Sequence, residues 1–193
     1  EHGANIVNVS FSGVNSQSVA DTAAYLRTLN VHYVWAAGNS SASLNSFDPG
    51  DLFIVGATDS SDERATFSNH GIAVDIVAPG VDIFTTKLGG QYGGINGTSF
   101  SAPMVAGALG VLHAQVPGLT SAIAEAIIEL SCDDIGETGE DDVFGHGRLN
   151  LHAAIELGLA AQTTPMAPIA RSDSASVHDG NAVEIDVLAN DID

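Results

Sequence analysis

The sequence predicts an α/β fold with a mostly parallel sheet, and three features predict it. Short β-favouring runs alternate with segments of helical spacing. One run, Leu52–Ala57 (LFIVGA), is apolar throughout, as expected of a strand covered on both faces. The first two runs flank a helix, the unit that makes a right-handed parallel crossover. In chain order, Asn5–Phe11 (NIVNVSF) reads as the first strand. Ser16–Leu29 follows as a helix, with Val19, Ala23, Leu26 and Leu29 at helical spacing. Tyr33–Ala37 (YVWAA) is the second strand and Leu52–Ala57 the third. Ala73–Val77 and Val81–Thr85 are shorter strands around a turn at Ala78-Pro79-Gly80. Helices are predicted over Phe100–Gln115, over Thr120–Leu130 with Thr120 as N-cap, and over Leu151–Leu157. Helices then cover both faces of the sheet.

Composition narrows the function. Hydrophobic residues make up 45% of the chain and charged residues 15%, which is ample for a core and excludes disorder as the overall state. The 24 Asp+Glu against 5 Lys+Arg give a formal charge of −19. A nucleic-acid binder needs a basic face, and an anionic membrane surface would repel this chain. The acidity also suits a salty habitat, where surface charge preserves solubility. A single cysteine, Cys132, excludes an internal disulfide framework and any zinc site built on several thiolates. No stretch reaches the roughly 20 apolar residues of a membrane span. The best candidate, Ala102–Val116, contains Pro103, Gly107, Gly110 and His113 and reads as a core helix.

The first residue is Glu1 rather than Met, and the expectation is a chain that starts partway through a longer protein. Near Ala160 the composition shifts. Gln162–Pro168 (QTTPMAP) reads as linker, followed by one alternating run, Ala182–Leu188 (AVEIDVL). A lone strand cannot bury itself, so it is expected to open a further domain. The expected organisation is a main domain over 1–160, a linker over 161–172 and a truncated module over 173–193.

Two segments carry chemistry. In Asn96-Gly97-Thr98-Ser99-Phe100-Ser101-Ala102-Pro103, a glycine turn delivers Ser99 to a helix start. Unpaired backbone N–H groups and the positive end of the helix dipole favour negative charge there. A serine so placed can act as a nucleophile whose oxyanion meets its own amide. The alternative is that Thr98 or Ser99 is only an N-cap. In Ala36-Ala37-Gly38-Asn39, an Asn follows the carboxyl end of a strand, where open α/β sheets place ligands. Its carboxamide can supply a neutral donor to a developing oxyanion, or Gly38-Asn39 can be an ordinary turn.

Taken together with their surroundings, these segments resemble the subtilisin-like serine proteases (subtilases). The likeness runs through Asn8–Gly13, Ala36–Asn39, Val55–Asp59, Ala65–Gly71, Asp75–Gly80, Gly97–Gly107 and Gly145–Asn150, covering about residues 3–158. It implies a three-layer subtilisin-like fold, incomplete here, and a serine endopeptidase that acts on protein or peptide substrates without a cofactor in the chemistry. It further implies Ser99 as acylating nucleophile and Asn39 in the oxyanion hole. Ser10, Phe11 and Ser12 would pair with the substrate backbone, and Ala36, Ala37 and Gly38 would form one wall of the pocket before the scissile bond. Phe100 and Met104 stand where the family usually has Met and His.

The family's acid and base precede these segments. His2 lies too close to Ser10 to be that base, and His32, His70, His113, His146 and His152 read as partly exposed structural residues. The expectation is that the acid and base lie upstream in the same chain, and that these 193 residues alone are inactive and prone to aggregate with strands uncovered. Asp133, Asp134, Glu137, Glu140, Asp141 and Asp142 form an acidic, glycine-bearing stretch that could hold a structural Ca²⁺, as subtilases often do. The tail Ser174–Asp193 resembles the opening strand of bacterial cadherin-like repeats, which implies a secreted or cell-surface protein with further repeats downstream. Two other readings stay open. One is a non-catalytic adhesion protein with a degenerate protease fold. The other, an esterase, lacks the G-x-S-x-G elbow it would need.

Overall fold

A computed structural model describes residues 3–11, 13–46 and 49–163; Ser12 and the tail fall outside them. Four strands, β1 (Ile6–Val9), β2 (His32–Ala36), β3 (Phe53–Thr58) and β4 (Ile76–Pro79), form a parallel sheet in sequential order. Helix α1 (Gln17–Thr28) makes the crossover from β1 to β2, whose register pairs Ile6 with His32 and Val9 with Trp35. A separate antiparallel hairpin, β5 (Ile83–Lys87) and β6 (Gln91–Ile95), precedes α2 (Thr98–Gln115). Helices α3 (Ser121–Leu130) and α4 (Leu151–Thr163) complete the described residues.

The alternation of side chains along each strand builds two cores. Val34, Ala36, Phe53, Val55, Ile76 and Ala78 face α2, α3 and α4 and pack on Val105, Leu109, Leu112 and Ile127. Trp35, Ala37, Ile54 and Val77 face the other way, onto Ala23 of α1 and onto Val14, Leu44, Val74 and Phe144. Layers therefore cover both faces, as predicted. Helix α2 is apolar all round because it lies across the whole sheet, touching β1 through β4.

Several boundaries differ from the predicted ones. Ala73–Asp75 is not strand: Val74 N–H donates to Gly71 O and the Asp75 carboxylate accepts Ile54 N–H. Ala78 and Pro79 are the end of β4 rather than a turn. Pro79 is tolerated because β4 is an edge strand. Strand β6 was not predicted, since Gly93 and Gly94 mask its pattern. Helix α4 runs on to Thr163, so the first residues of the proposed linker are helical. Thr120 caps α3 as predicted, its hydroxyl accepting Ile123 N–H.

Residues 81–96, which hold the hairpin, leave and rejoin the core at one point. Gly97 N–H donates to Gly80 O at 2.8 Å, and Asp82 N–H to Asn96 Oδ1 at 2.7 Å. Beyond this base the hairpin projects into solvent, with Phe84 and Tyr92 stacked at 6.2 Å and Leu88 fully exposed at the tip.

The far end of the sheet holds a polar network. His32 is the first residue of β2 and is 0% exposed, which corrects the expectation of a partly exposed residue outside the strand. Its Nδ1 donates to Glu125 Oε1 of α3 at 2.7 Å, and its Nε2 faces His113 Nε2 of α2 at 2.7 Å. Arg27 of α1 donates to the other oxygen of Glu125 and also to Asp51 and Ser121. Burial alone would raise the Glu125 pKa, but the His32 hydrogen bond and the Arg27 charge outweigh it and hold the carboxyl below its ordinary value.

Cys132 donates its S–H to Ile128 O, and burial, then Glu129 and Asp133, push its thiol up to about 12. The folded protein should therefore resist iodoacetamide at pH 8 and take up one equivalent only after unfolding. Rapid alkylation of the native protein, followed by intact mass, would contradict this.

Candidate active site

Ser99 occupies the first turn of α2, where its backbone N–H has no intrahelical partner. The helix is capped by Gly97 with no side-chain cap bond, so neither Thr98 nor Ser99 is the N-cap that the sequence left open. The Thr98 hydroxyl bonds elsewhere. It donates to Asn39 Oδ1 at 3.0 Å, and the Thr98 N–H donates to the same oxygen at 2.9 Å. Thr98 Oγ1 in turn accepts Gly38 N–H at 3.1 Å.

The consequence for Asn39 is chemical. Two donors fix its Oδ1, which assigns Nδ2 to the other arm of the planar carboxamide. A Cβ placed on Gly97 would lie 3.4 Å from that Nδ2, so the donor sits beside the turn that carries Ser99. Gly38, just before Asn39, has a φ of +106°, and a Cβ there would come within 2.6 Å of Asn69 Nδ2. Glycine is needed at this bend, which is why Asn39 leaves the strand direction and turns toward α2.

These groups line a cavity of about 350 Å³ formed by Ser10, Phe11, Ala36, Gly38, Asn39, Ser40, Thr98 and Ser99. Six of the eight predicted site residues thus come together. Ala37 does not: it is 1% exposed, its side chain belongs to the second core, and its carbonyl accepts Asn69 Nδ2. The reason is parity, because the neighbour of a cavity-facing Ala36 points to the opposite face of β2. Ser12 lies outside the described residues. Ser40 and Thr98 join the site without having been predicted as part of it; the motif held Thr98, but only its capping role was considered.

Beyond the end of β1, Ser10 is tied across to α2. Its hydroxyl donates to Ser99 O at 2.8 Å and accepts from Asn8 Nδ2 at 3.1 Å. Phe11 is 74% exposed at the rim. None of the lining residues titrates near neutrality, and among the described residues no histidine borders the cavity. Among the described residues no group hydrogen-bonds Ser99 Oγ. The positive end of α2 is therefore the main electrostatic feature of the site.

Among the described residues no three His, Cys, Asp or Glu side chains of the acidic stretch are grouped to hold a metal. Three of its carboxylates have local partners. Asp141 accepts the amides of Glu137, Val143 and Phe144, Asp134 that of Gly139, and Asp133 accepts from Arg148 and Asn150. The hydrogen bond from Arg148, then that from Asn150, holds the Asp133 carboxyl below its ordinary value.

A family model described as the subtilase family matches residues 1–147. The chain is 35% identical over 159 residues to a thermophilic serine proteinase of Bacillus sp. (strain AK1), covering 80% of this chain and 38% of that protein. It is 33% identical over 156 residues to subtilisin BL of Lederbergia lenta, covering 79% of this chain and 57% of the relative. The chain therefore spans only part of the length of the curated relatives it matches. Among solved structures, proteases from Pseudoalteromonas arctica PAMC 21717 superpose with a TM-score of 0.69 at 26% identity, over 80% of this chain and 51% of the other. A lanthipeptide protease superposes with a TM-score of 0.71 at 19% identity, over 80% of this chain and 63% of the other, a likeness of fold alone.

Proposed function

This chain belongs to the subtilase family, and from that premise we propose that it carries the nucleophile half of a serine endopeptidase. Ser99 attacks the scissile carbonyl of a peptide and forms an acyl-enzyme. The oxyanion is received by the Asn39 carboxamide and the Ser99 amide at the start of α2. One observation carries the proposal: Asn39 Oδ1 is held by both donors of Thr98, which leaves its N–H₂ for an incoming oxygen beside Ser99. The chemistry calls for no cofactor.

A serine needs a base, and among the described residues the cavity holds none. The acid and base are proposed to come from a segment upstream of Glu1 in the parent protein, so that residues 1–193 alone give no turnover. Extracellular action on protein or peptide substrates is the proposed setting. The proposed linker beyond Thr163 and the cadherin-like tail lie outside the described residues.

The test is a fluorophosphonate probe on the full-length protein. Labelling at Ser99, lost in Ser99→Ala, is the expected result. A protein that stays unlabelled while a control subtilase reacts would favour the non-catalytic adhesion reading. A graded check uses Thr98→Val, which removes one of the two bonds to Asn39 Oδ1. It should lower kcat about three- to tenfold with little change in KM, the size of one ordinary hydrogen bond. Equal loss in KM would place Thr98 in substrate binding instead.

A further inference from the structure

We propose that Trp35 is a positioning residue that sets where a peptide substrate lies relative to Ser99; the inference rests on the hydrolase reading above. The β1–β2 ladder ends at the pair Val9–Trp35. The next residues, Ser10 and Phe11, border the cavity without ladder bonds to hold them in place. Two side-chain bonds take over. Ser10 Oγ donates to Ser99 O at 2.8 Å, and Trp35 Nε1 donates to Phe11 O at 2.8 Å.

Trp35 is well built for this. It is 7% exposed, packs in the second core with Val14, Ala37 and Leu44, and meets Tyr33 edge-to-face at 5.3 Å and 81°. Its indole is thus a rigid post with a single donor, and the donor reaches the backbone of an exposed rim residue. It does not line the cavity, so it acts only through Phe11. Its bond to the Phe11 carbonyl ties the main chain of a rim residue to β2, along the edge where a peptide would be laid as an added strand. The polypeptide edge and the nucleophile are then fixed in one frame, Phe11 through β2 and Ser10 through α2. Sequence alone could not show this, since the bond depends on a side chain crossing from one strand to the end of another.

The test replaces Trp35 in the full-length protein with 3-benzothienylalanine, which keeps the shape of the ring and lacks the N–H. Trp35→Phe is the second variant. Two readouts are taken: the fluorophosphonate labelling rate, which needs no extended substrate, and kcat and KM on a tetrapeptide amide. The expected result is a KM raised about three- to tenfold, as for loss of one hydrogen bond, with kcat and labelling within about twofold of wild type. An unchanged KM overturns the proposal. So does a parallel fall in labelling and peptide turnover, which would make Trp35 merely structural. A wild-type protein that is not labelled at all overturns the hydrolase reading, and this inference with it.

Discussion

Replacing Asn39 by Ala in the full-length protein is expected to lower kcat about 10²–10³-fold while leaving KM within a few-fold, the range established for loss of this type of donor in subtilisin itself. The reasoning is geometric. Asn39 has one face committed to Thr98 and one face open to the cavity. The open donor meets little in the ground state and a full negative charge in the transition state, so its loss falls on kcat. Asn39→Asp is the sharper variant: it keeps the size of the side chain but puts a carboxylate beside a forming oxyanion. It should be at least as impaired as Asn39→Ala. Steady-state kinetics on one peptide substrate decide the matter, and a loss confined to KM would remove Asn39 from the oxyanion role.

The largest effect on stability is expected at Glu125. It is 2% exposed and compensates Arg27 while accepting from His32. Glu125→Ala leaves the buried His32 imidazole without its carboxylate and the half-buried Arg27 with only Asp51 and Ser121, and should cost about 3–5 kcal/mol in urea unfolding. A cost below about 1 kcal/mol would show that water replaces the carboxylate.

The same network fixes the direction of pH dependence. The Glu125 pKa is depressed in the folded state, so its contribution is present above the unfolded value and is lost as pH falls through the folded one. Burial, then the neighbouring His32, lowers the His113 pKa, so protonating His113 also costs stability below the ordinary histidine range. The two Nε2 atoms hold one proton between them, and a second would set two N–H groups face to face. Stability should therefore fall monotonically from pH 7 to pH 4. His113→Gln should flatten the upper part of that decline. A melting temperature independent of pH over this window would contradict the assignment.

The sequence disclosed the elements whose signals are local. Helix α3 announced itself by Thr120 and an apolar run, and β3 by its unbroken apolar stretch. Ser99 and Asn39 were legible because each sits in a short motif whose backbone geometry is tied to its glycine, Gly97 or Gly38. Strand β6 was hidden because Gly93 and Gly94 carry no side-chain pattern. The burial of the Ala37 side chain in the second core was not legible, because the motif gives neighbours in sequence but not which face of the strand each one takes. The Arg27–Glu125–His32–His113 network and the Trp35 bond join residues distant in the chain, and no local pattern marks them.

The closed base of residues 81–96 gives that excursion an independence the rest of the chain lacks. Gly80 and Gly97 stay joined whatever the length or make-up of what lies between them. Lengthening, trimming or redecorating the projecting arm should therefore leave Ser99 in place. A protein engineer has the same freedom: an affinity tag or a foreign binding loop spliced at Leu88 should be carried without loss of turnover.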